Sequence, residues 1–143
     1  MPHEAKLALF IQHFETLTPQ SVGQLTDLYS DDAYFRDPFN KVRGHAAITG
    51  IFEHMFKQVD DPRFMVVSKI MQGDNAFIAW DFLFRLKKGD RAERCIHGSS
   101  YLCFDRNGRV NYHRDYWDAA EELYEKIPVL GTLMRFLKRR VTS

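Results

Sequence analysis

The sequence predicts an α+β domain in which helices come first and an antiparallel sheet follows. Apolar residues recur at helical spacing as far as Val59, and from residue 63 the apolar period changes to two. Short glycine-containing turns divide this second part into four segments, as in a strand meander. Such segregation of helices and strands along a chain is typical of α+β folds. The 143 residues suit one domain, so we expect a single domain over 1–143, with a core of about 5–118 and a helical extension over 119–143.

Three helices are predicted before the sheet. Residues 4–17 form the first, with apolar residues at helical spacing: Leu7, Phe10, Ile11, Phe14 and Leu17. Thr18-Pro19 ends it and opens a second helix over 19–29, because proline suits a first helical turn. The third helix covers 44–59, where apolar residues follow Ile48 at i+3, i+4, i+7, i+8 and i+11.

Five strands are predicted from period-two segments and turn residues. A short strand over 33–38, AYFRDP, ends at Pro38. The meander strands are 63–71, 76–86, 91–104 and 109–118, joined by the turns QGDN, KKGD and DRNG. Two further helical segments follow at 119–127 and 129–140, and the second is amphipathic and basic.

Composition excludes several classes of function. The net charge is +1, and there is neither a basic groove with interleaved aromatics nor a glycine-rich phosphate loop, so nucleic-acid and nucleotide binding are not expected. Cys95 and Cys103 lie eight residues apart in one predicted strand, a span of about 26 Å that no disulfide bridges. Reduced thiols, together with a start that lacks a signal-peptide apolar run, predict a cytoplasmic protein. The aromatic content of 14% suits a core and equally an apolar ligand cavity.

Side chains alternate between the two faces of a strand, so parity sorts the meander residues. Three rings share one face of their strand: Trp80, Phe82 and Phe84. In the last strand one face carries His113, Asp115 and Trp117, and the other carries Tyr112, Arg114 and Tyr116. Parity alone does not decide which of these faces is concave.

The order of elements, the AYFRDP strand, the long helix that begins at a glycine, and the ending DRNGRVNYHRDYWD together resemble the nuclear-transport-factor-2-like superfamily. The resemblance is strongest to its SnoaL-like branch, which includes ketosteroid isomerases and polyketide cyclases. It implies a cone-shaped, curved, mostly antiparallel sheet wrapped around the N-terminal helices. It also implies a small apolar ligand in the concave cavity, no cofactor, and often a homodimer formed through the outer sheet face.

Functional positions of that family can be transferred to this chain one by one. The general base of the isomerases falls on Asp37, and the acid/base aspartate of the cyclases falls on Asp115. The isomerase oxyanion donors fall on Phe14, which cannot donate, and on Ser100, a weaker donor. Steroid isomerase chemistry as such is therefore not expected. The resemblance also turns the Trp80 and His113 faces inward.

The candidate catalytic residues are Asp37, His113, Asp115 and Ser100. Asp37 either caps its own turn or reaches into an apolar pocket, where burial would raise its pKa towards the range useful for acid/base work. His113 and Asp115 are either a polar pair in the cavity wall or a ligand-orienting, catalytic pair. No metal is predicted there, because His97 has the opposite parity to Ser100 and a third ligand is missing. The candidate substrate-binding residues are Phe14, Phe35, Phe52, Phe56, Trp80, Phe82, Phe84 and Trp117.

Three functions are compatible with these candidate residues. The first is an acid/base isomerase or cyclase acting on a polycyclic, terpenoid or lipid-like carbonyl compound. The second is a non-catalytic ligand-binding or accessory subunit. The third, an epoxide hydrolase, would need an inward arginine, and parity turns Arg36 and Arg114 away.

The basic segment 129–140 has two interpretations. It either covers the cavity mouth or contacts an anionic lipid surface. The first is preferred because Gly131 interrupts the segment.

Overall fold

A computed structural model of the chain describes residues 3–125. Two α-helices, a 3-10 helix, six strands and a final π-helix follow one another along this part of the chain. In order they are α1 (Glu4–Glu15), the 3-10 helix (Val22–Asp27), β1 (Tyr29–Arg36), β2 (Lys41–Arg43), α2 (His45–Gln58), β3 (Asp60–Gln72), β4 (Asn75–Arg85), β5 (Arg94–Phe104), β6 (Val110–Tyr116) and the π-helix (Ala120–Glu125). The α+β class predicted from the sequence is confirmed.

The six strands form one mostly antiparallel sheet in the order β2-β1-β6-β5-β4-β3. β3 to β6 are the predicted antiparallel meander. β1 lies next to β6 and runs parallel to it, with Arg36 beside Arg114. Because parallel strands end at the same edge of a sheet, the residues that follow β1 lie beside the end of β6. The parallel pairing of β1 with β6 therefore forms the candidate functional site.

Both helices pack on one face of the sheet and supply the core. Leu7, Phe10 and Phe14 of α1 are buried, as are Ile48 and Phe52 of α2. Four residues on the inner face of β4 are buried: Ala76, Ile78, Trp80 and Phe84. Aromatic edges fill the space between layers, since the Phe52 ring lies 5.1 Å from Phe14, 5.8 Å from Phe35 and 6.5 Å from Phe64, centroid to centroid. The interior at this level is therefore packed with rings.

Gly98 explains how the large Trp80 ring fits against the sheet. The two residues are direct cross-strand partners on β5 and β4. The Trp80 ring lies over the Gly98 backbone, where an added Cβ would overlap the ring atoms. Glycine is thus required at 98 for a close approach rather than for a turn.

The predicted second helix, residues 19–29, is wrong except for a short 3-10 helix over Val22–Asp27. A short 3-10 helix ends at Asp27, and residues 29–32 already belong to β1. Tyr29 pairs with Val110 of β6, and its side chain is buried. A strand pairing with a distant part of the chain overrides the local helical spacing.

Other strand boundaries also differ from the prediction: β1 ends at Arg36 rather than 38, and β5 begins at Arg94 rather than 91. β3 begins at Asp60 rather than 63, so Pro62 lies inside a strand. That is tolerated because β3 is at the edge of the sheet, where a missing N–H leaves no ladder bond unmade. The three-residue β2 was not predicted, because it is too short to show a period.

The predicted segment 129–140 and its contact with a lipid surface lie outside the described residues. Over the residues that the structure describes, the predicted helix at 119–127 corresponds to the π-helix Ala120–Glu125. Within residues 3–125, no helix combines the length and the apolar character that crossing a membrane requires.

Candidate functional site

A pocket of about 530 Å³ lies at the edge where β1 and β6 end side by side. Its wall is formed by two short segments, one from each strand end. These are Arg36, Asp37 and Pro38 at the end of β1 and just after it, and Arg114, Asp115, Tyr116, Trp117 and Asp118 on and after β6. Two of the predicted catalytic carboxylates, Asp37 and Asp115, are therefore brought to one pocket by the parallel pairing.

Asp37 closes a tight turn at the pocket wall. Its Oδ1 accepts hydrogen bonds from the backbone N–H of Phe39 (2.8 Å) and of Asn40 (2.6 Å), and from the Asn40 side-chain amide (3.1 Å). Its Oδ2 accepts from the same amide at 3.1 Å. Asp37 therefore caps its own turn, as one of its two interpretations predicted. The same carboxylate also lines the pocket.

The environment of Asp37 raises its pKa from 3.8 to about 6. Burial is the main cause, because removal from water disfavours the anion, and the nearby Asp115 charge adds to it. The hydrogen bonds from Asn40 and Phe39 act in the opposite direction and limit the rise. A carboxyl group with this pKa exchanges protons readily near neutral pH.

Asp115 receives two short hydrogen bonds on one oxygen. The Ser100 hydroxyl donates to Asp115 Oδ1 at 2.5 Å, and His113 Nε2 lies 2.7 Å from the same atom. The Trp80 indole N–H donates in turn to Ser100 Oγ at 2.8 Å. Ser100 is 2% exposed, so this series is shielded from water. Three of the four predicted catalytic residues are brought together by this hydrogen-bonded series.

Tyr29 extends the series beyond His113. Its hydroxyl lies 2.7 Å from His113 Nδ1, and both residues are buried. When Nε2–H donates to an ionised Asp115, Nδ1 accepts from the Tyr29 hydroxyl, and this neutral tautomer satisfies both contacts. Burial, and then the Asp115 charge, raises the pKa of Tyr29 well above its ordinary value. The phenol is therefore a proton donor in this network.

Tyr29 was missed in the sequence because it continues the helical spacing of the preceding segment. Its parity could have revealed it, since Tyr29, Ala33 and Phe35 are all odd-numbered, and all three are buried. Asn40 was also missed. An amide three residues after Asp37 is the available signal for a turn that holds the carboxylate.

The predicted substrate-binding residues divide into two groups. Trp117 lines the pocket and contacts the Phe39 ring, with centroids 5.6 Å apart. The others do not line this pocket and lie in or against the packed core: Phe14, Phe35, Phe52, Phe56, Trp80, Phe82 and Phe84. Trp117 is thus the one predicted substrate-binding ring that lines this pocket, and the other seven rings belong to the core or pack against it.

Arg114 belongs to the opposite side of the sheet from this network. Its guanidinium carbon lies 4.8 Å from the centroid of the Tyr116 ring, which is exposed. Both Arg36 and Arg114 nevertheless line the pocket at the strand ends together with Asp37 and Asp115, so the expectation from parity that these arginines stay away from the carboxylates is not met. Within the described residues, the pocket does not group three metal-binding side chains, and both His113 nitrogens already have partners.

Comparison with known proteins identifies the fold and the family. The model of the SnoaL-like domain family matches residues 10–113. A search of curated proteins finds no matching sequence.

Solved structures share the fold at low sequence identity. A protein from Shewanella denitrificans, proposed to be a SnoaL-like polyketide cyclase, is 21% identical with a TM-score of 0.70, covering 90% of this chain and 98% of its own. AclR from Streptomyces galilaeus, proposed to be a hydroxylase, is 15% identical with a TM-score of 0.71, covering 89% and 96%. TerC, co-crystallised with polyporic acid, is 17% identical with a TM-score of 0.69, covering 87% and 99%. Identities this low show the fold alone, whereas the family match spans most of the chain. The chain belongs to the family of SnoaL-like domains.

Proposed function

We propose that this protein is an acid/base isomerase or cyclase that acts on a small apolar carbonyl compound. The observation that carries the proposal is the pair of carboxylates, Asp37 and Asp115, at one pocket, with the pKa of Asp37 raised to about 6. Perturbed carboxyl groups in a cleft are characteristic of catalytic sites. The reaction we assign is removal of a proton from the carbon next to a carbonyl group, followed by its return at another atom.

Asp37 is the general base in this mechanism. Its Oδ1 is fully occupied by turn hydrogen bonds, whereas its Oδ2 accepts only from the Asn40 amide at 3.1 Å. The Oδ2 lone pairs are therefore available to a substrate C–H bond. With a pKa near 6, the carboxylate is mostly ionised at neutral pH and is a stronger base than an ordinary aspartate.

Asp115 and His113 orient the substrate and relay protons, and Asp115 is the alternative base. Their arrangement is held by the hydrogen bonds from Ser100 and Tyr29. Sequence comparison suggested Ser100 as a weak donor to a developing oxyanion. Its proton is engaged by Asp115 at 2.5 Å, so we assign Ser100 to positioning Asp115 instead.

The substrate class follows from the pocket wall and from the relatives. Trp117, Tyr116 and Pro38 provide apolar surface beside the two carboxylates. Polyporic acid, the ligand of TerC, is consistent with a ring compound that carries oxygen substituents. We therefore infer a polycyclic, terpenoid or lipid-like carbonyl compound.

A non-catalytic ligand-binding function is the second candidate, and one observation favours it. Phe14 occupies a position where related isomerases carry a donor, and Ser100 already donates to Asp115, so neither supplies an oxyanion donor to the pocket. Without such a donor the enolate would be poorly stabilised. A protein of this kind would bind the same ligands without exchanging their protons.

Deuterium exchange separates the two candidates. The full chain is incubated in D₂O buffer with 2-tetralone, menthone and a long-chain β-diketone, and deuterium at the α-carbon is followed by mass spectrometry. We expect exchange above the protein-free rate, reduced about 100-fold or more in Asp37→Asn, the scale of general-base catalysis. Asp32→Asn is the matched control, because it removes an exposed carboxylate on the same strand, β1.

The outcomes of this experiment are distinct. Exchange that vanishes in Asp115→Asn but persists in Asp37→Asn would move the base to Asp115. Calorimetric binding without exchange would establish the binding protein. Neither binding nor exchange with any of the three compounds would overturn the proposed ligand class.

We also propose that the protein forms a homodimer through the outer sheet face. Exposed apolar side chains lie on its strands, including Ile70 and Phe77, which are cross-strand neighbours 67% and 43% exposed. A contiguous exposed apolar patch of this kind marks an interface. Sedimentation analysis should give a dimer that Ile70→Lys converts to a monomer, while Leu9→Lys on α1, also an exposed apolar residue, leaves it intact. A wild-type monomer at micromolar concentration would contradict this.

We place the protein in the reducing cytoplasm. Cys95 and Cys103 both lie on β5 at a separation that forbids a bridge between them. Fractionation of cells that express the full chain tests this, and recovery with membranes or secreted protein would contradict it.

A further inference from the structure

We propose that the outer face of the sheet carries a binding site for a divalent transition metal ion of the zinc class, formed by Asp81, Cys95 and His97. The three side chains come from the middle of β4 and from β5, on the sheet face opposite Trp80 and Ser100. Their potential ligand atoms, a carboxylate oxygen, a thiol sulfur and an imidazole nitrogen, all lie within 4.8 Å of one another. No other group of three such side chains occurs in the part of the chain that the structure describes.

The geometry of the sheet holds these three residues in place. Asp81 and His97 are direct cross-strand partners, and Cys95 lies two residues before His97, hence on the same face. His97 Nδ1 is 2.6 Å from Asp81 Oδ1 and 3.9 Å from Cys95 Sγ. Ligand atoms around tetrahedral zinc are about 3.3 to 3.8 Å apart, as bond lengths of about 2.0 to 2.3 Å require. Side-chain rotations that move these ligand atoms by up to about 1 Å would therefore bring all three into range on the backbone as it stands.

The ligand chemistry selects the class of metal. A thiolate and an imidazole prefer zinc and its neighbours over magnesium or calcium, and the carboxylate completes a neutral site with a divalent ion. His97 is exposed and Asp81 partly so, with side-chain exposures of 63% and 29%, which leaves a path for the ion. The Glu122 carboxylate, whose Oε2 accepts from the His97 backbone N–H at 3.4 Å, adds negative charge nearby. Three protein ligands leave the fourth position to water.

This site is independent of the proposed acid/base function. It lies on the other face of the sheet from His113 and Asp115, and none of its three residues lines the pocket. In the inner polar network both nitrogens of His113 are engaged by Tyr29 and Asp115. On the outer face the neighbours of His97 Nδ1 are a carboxylate and a thiol, which are themselves metal-binding groups. Within residues 3–125, the outer cluster is therefore the candidate site for an ion.

Metal titration of the full chain, with any affinity tag removed and a non-thiol reductant present, tests the proposal. Co²⁺ is added first, because a thiolate ligand produces a ligand-to-metal charge-transfer band in the near ultraviolet. Zn²⁺ should then displace Co²⁺ at one ion per chain. Cys95→Ser should abolish the band, and His97→Asn should weaken Zn²⁺ binding at least tenfold, since even outer-shell changes cost about 10–100-fold.

Matched variants make the result specific. Cys103→Ser removes the other cysteine of β5 and should leave both the band and the affinity within about twofold of wild type, because Cys103 lies outside the cluster. Circular dichroism confirms that each variant is folded. Absence of a charge-transfer band, or a band that survives Cys95→Ser, would overturn the site. Because no ketone is present, failure here leaves the proposed function untouched, and Asp37→Asn should bind the ion normally.

Discussion

Replacing Asp37 by asparagine should make the protein more stable at neutral pH. The amide oxygen of asparagine can still accept the backbone N–H groups of Phe39 and Asn40, so the turn is retained. The substitution removes a negative charge that burial and the nearby Asp115 both disfavour. A residue kept for chemistry at a cost in stability is expected to behave in this way.

The size and pH dependence of the gain follow from the pKa. A rise from 3.8 in the unfolded chain to about 6 in the folded protein corresponds to about 3 kcal/mol. Between these two values the folded state binds more protons than the unfolded state, so the contribution of Asp37 to stability falls as the pH rises. The variant and the wild type should therefore match near pH 4, diverge up to about pH 6, and keep a constant difference above it.

Urea denaturation of both proteins from pH 4 to pH 8 measures this difference, and other titrating groups largely cancel in the comparison. Asp32→Asn is the control, since its exposed carboxylate should give a difference near zero throughout. The reasoning is refuted if Asp37→Asn is less stable than wild type at pH 7.5, or if the difference does not change with pH.

Three further substitutions test the packing around the site, each by urea denaturation. Gly98→Ala should cost about 1–3 kcal/mol and alter the near-ultraviolet dichroism of Trp80, because its Cβ overlaps that ring; unchanged spectra would contradict this contact. Tyr29→Phe should cost about 1–3 kcal/mol by leaving His113 Nδ1 without its buried partner; a neutral effect would mean that the bond contributes nothing. Phe35→Ala should cost about 3–5 kcal/mol, since its ring is 1% exposed and 4.7 Å from the His113 ring; a loss below 1 kcal/mol would show that the core closes around the gap.

Much of the architecture was accessible from the sequence because side-chain periods report burial directly. The period of 3.6 over residues 44–59 corresponds to α2, and the period of two located all four meander strands. Parity sorted the two faces of each of these strands, and the family resemblance turned the faces of Trp80 and Asp115 inward, where both residues now hydrogen-bond to Ser100. These inferences need only local geometry, since a strand turns every second side chain to the same side.

Tyr29 shows where local patterns fail. Its spacing after Val22 and Leu25 matches a helix, yet it begins β1 and contacts His113, 84 residues further along the chain. The free energy that decides between these conformations comes from strand pairing and from burial against distant residues. Neither contribution is present in an eleven-residue window of sequence.

The sequence by itself determined the class of fold, the residues that share a face within a meander strand, and the short set of acids from which a site could be built. Only the tertiary structure decided that β1 lies parallel to β6, which brings Asp37 and Asp115 to one pocket. It also decided that Asp37 caps a turn and carries a raised pKa at the same time. Side-chain alternation is a local property of the backbone, whereas desolvation and charge–charge repulsion depend on which distant segments become neighbours.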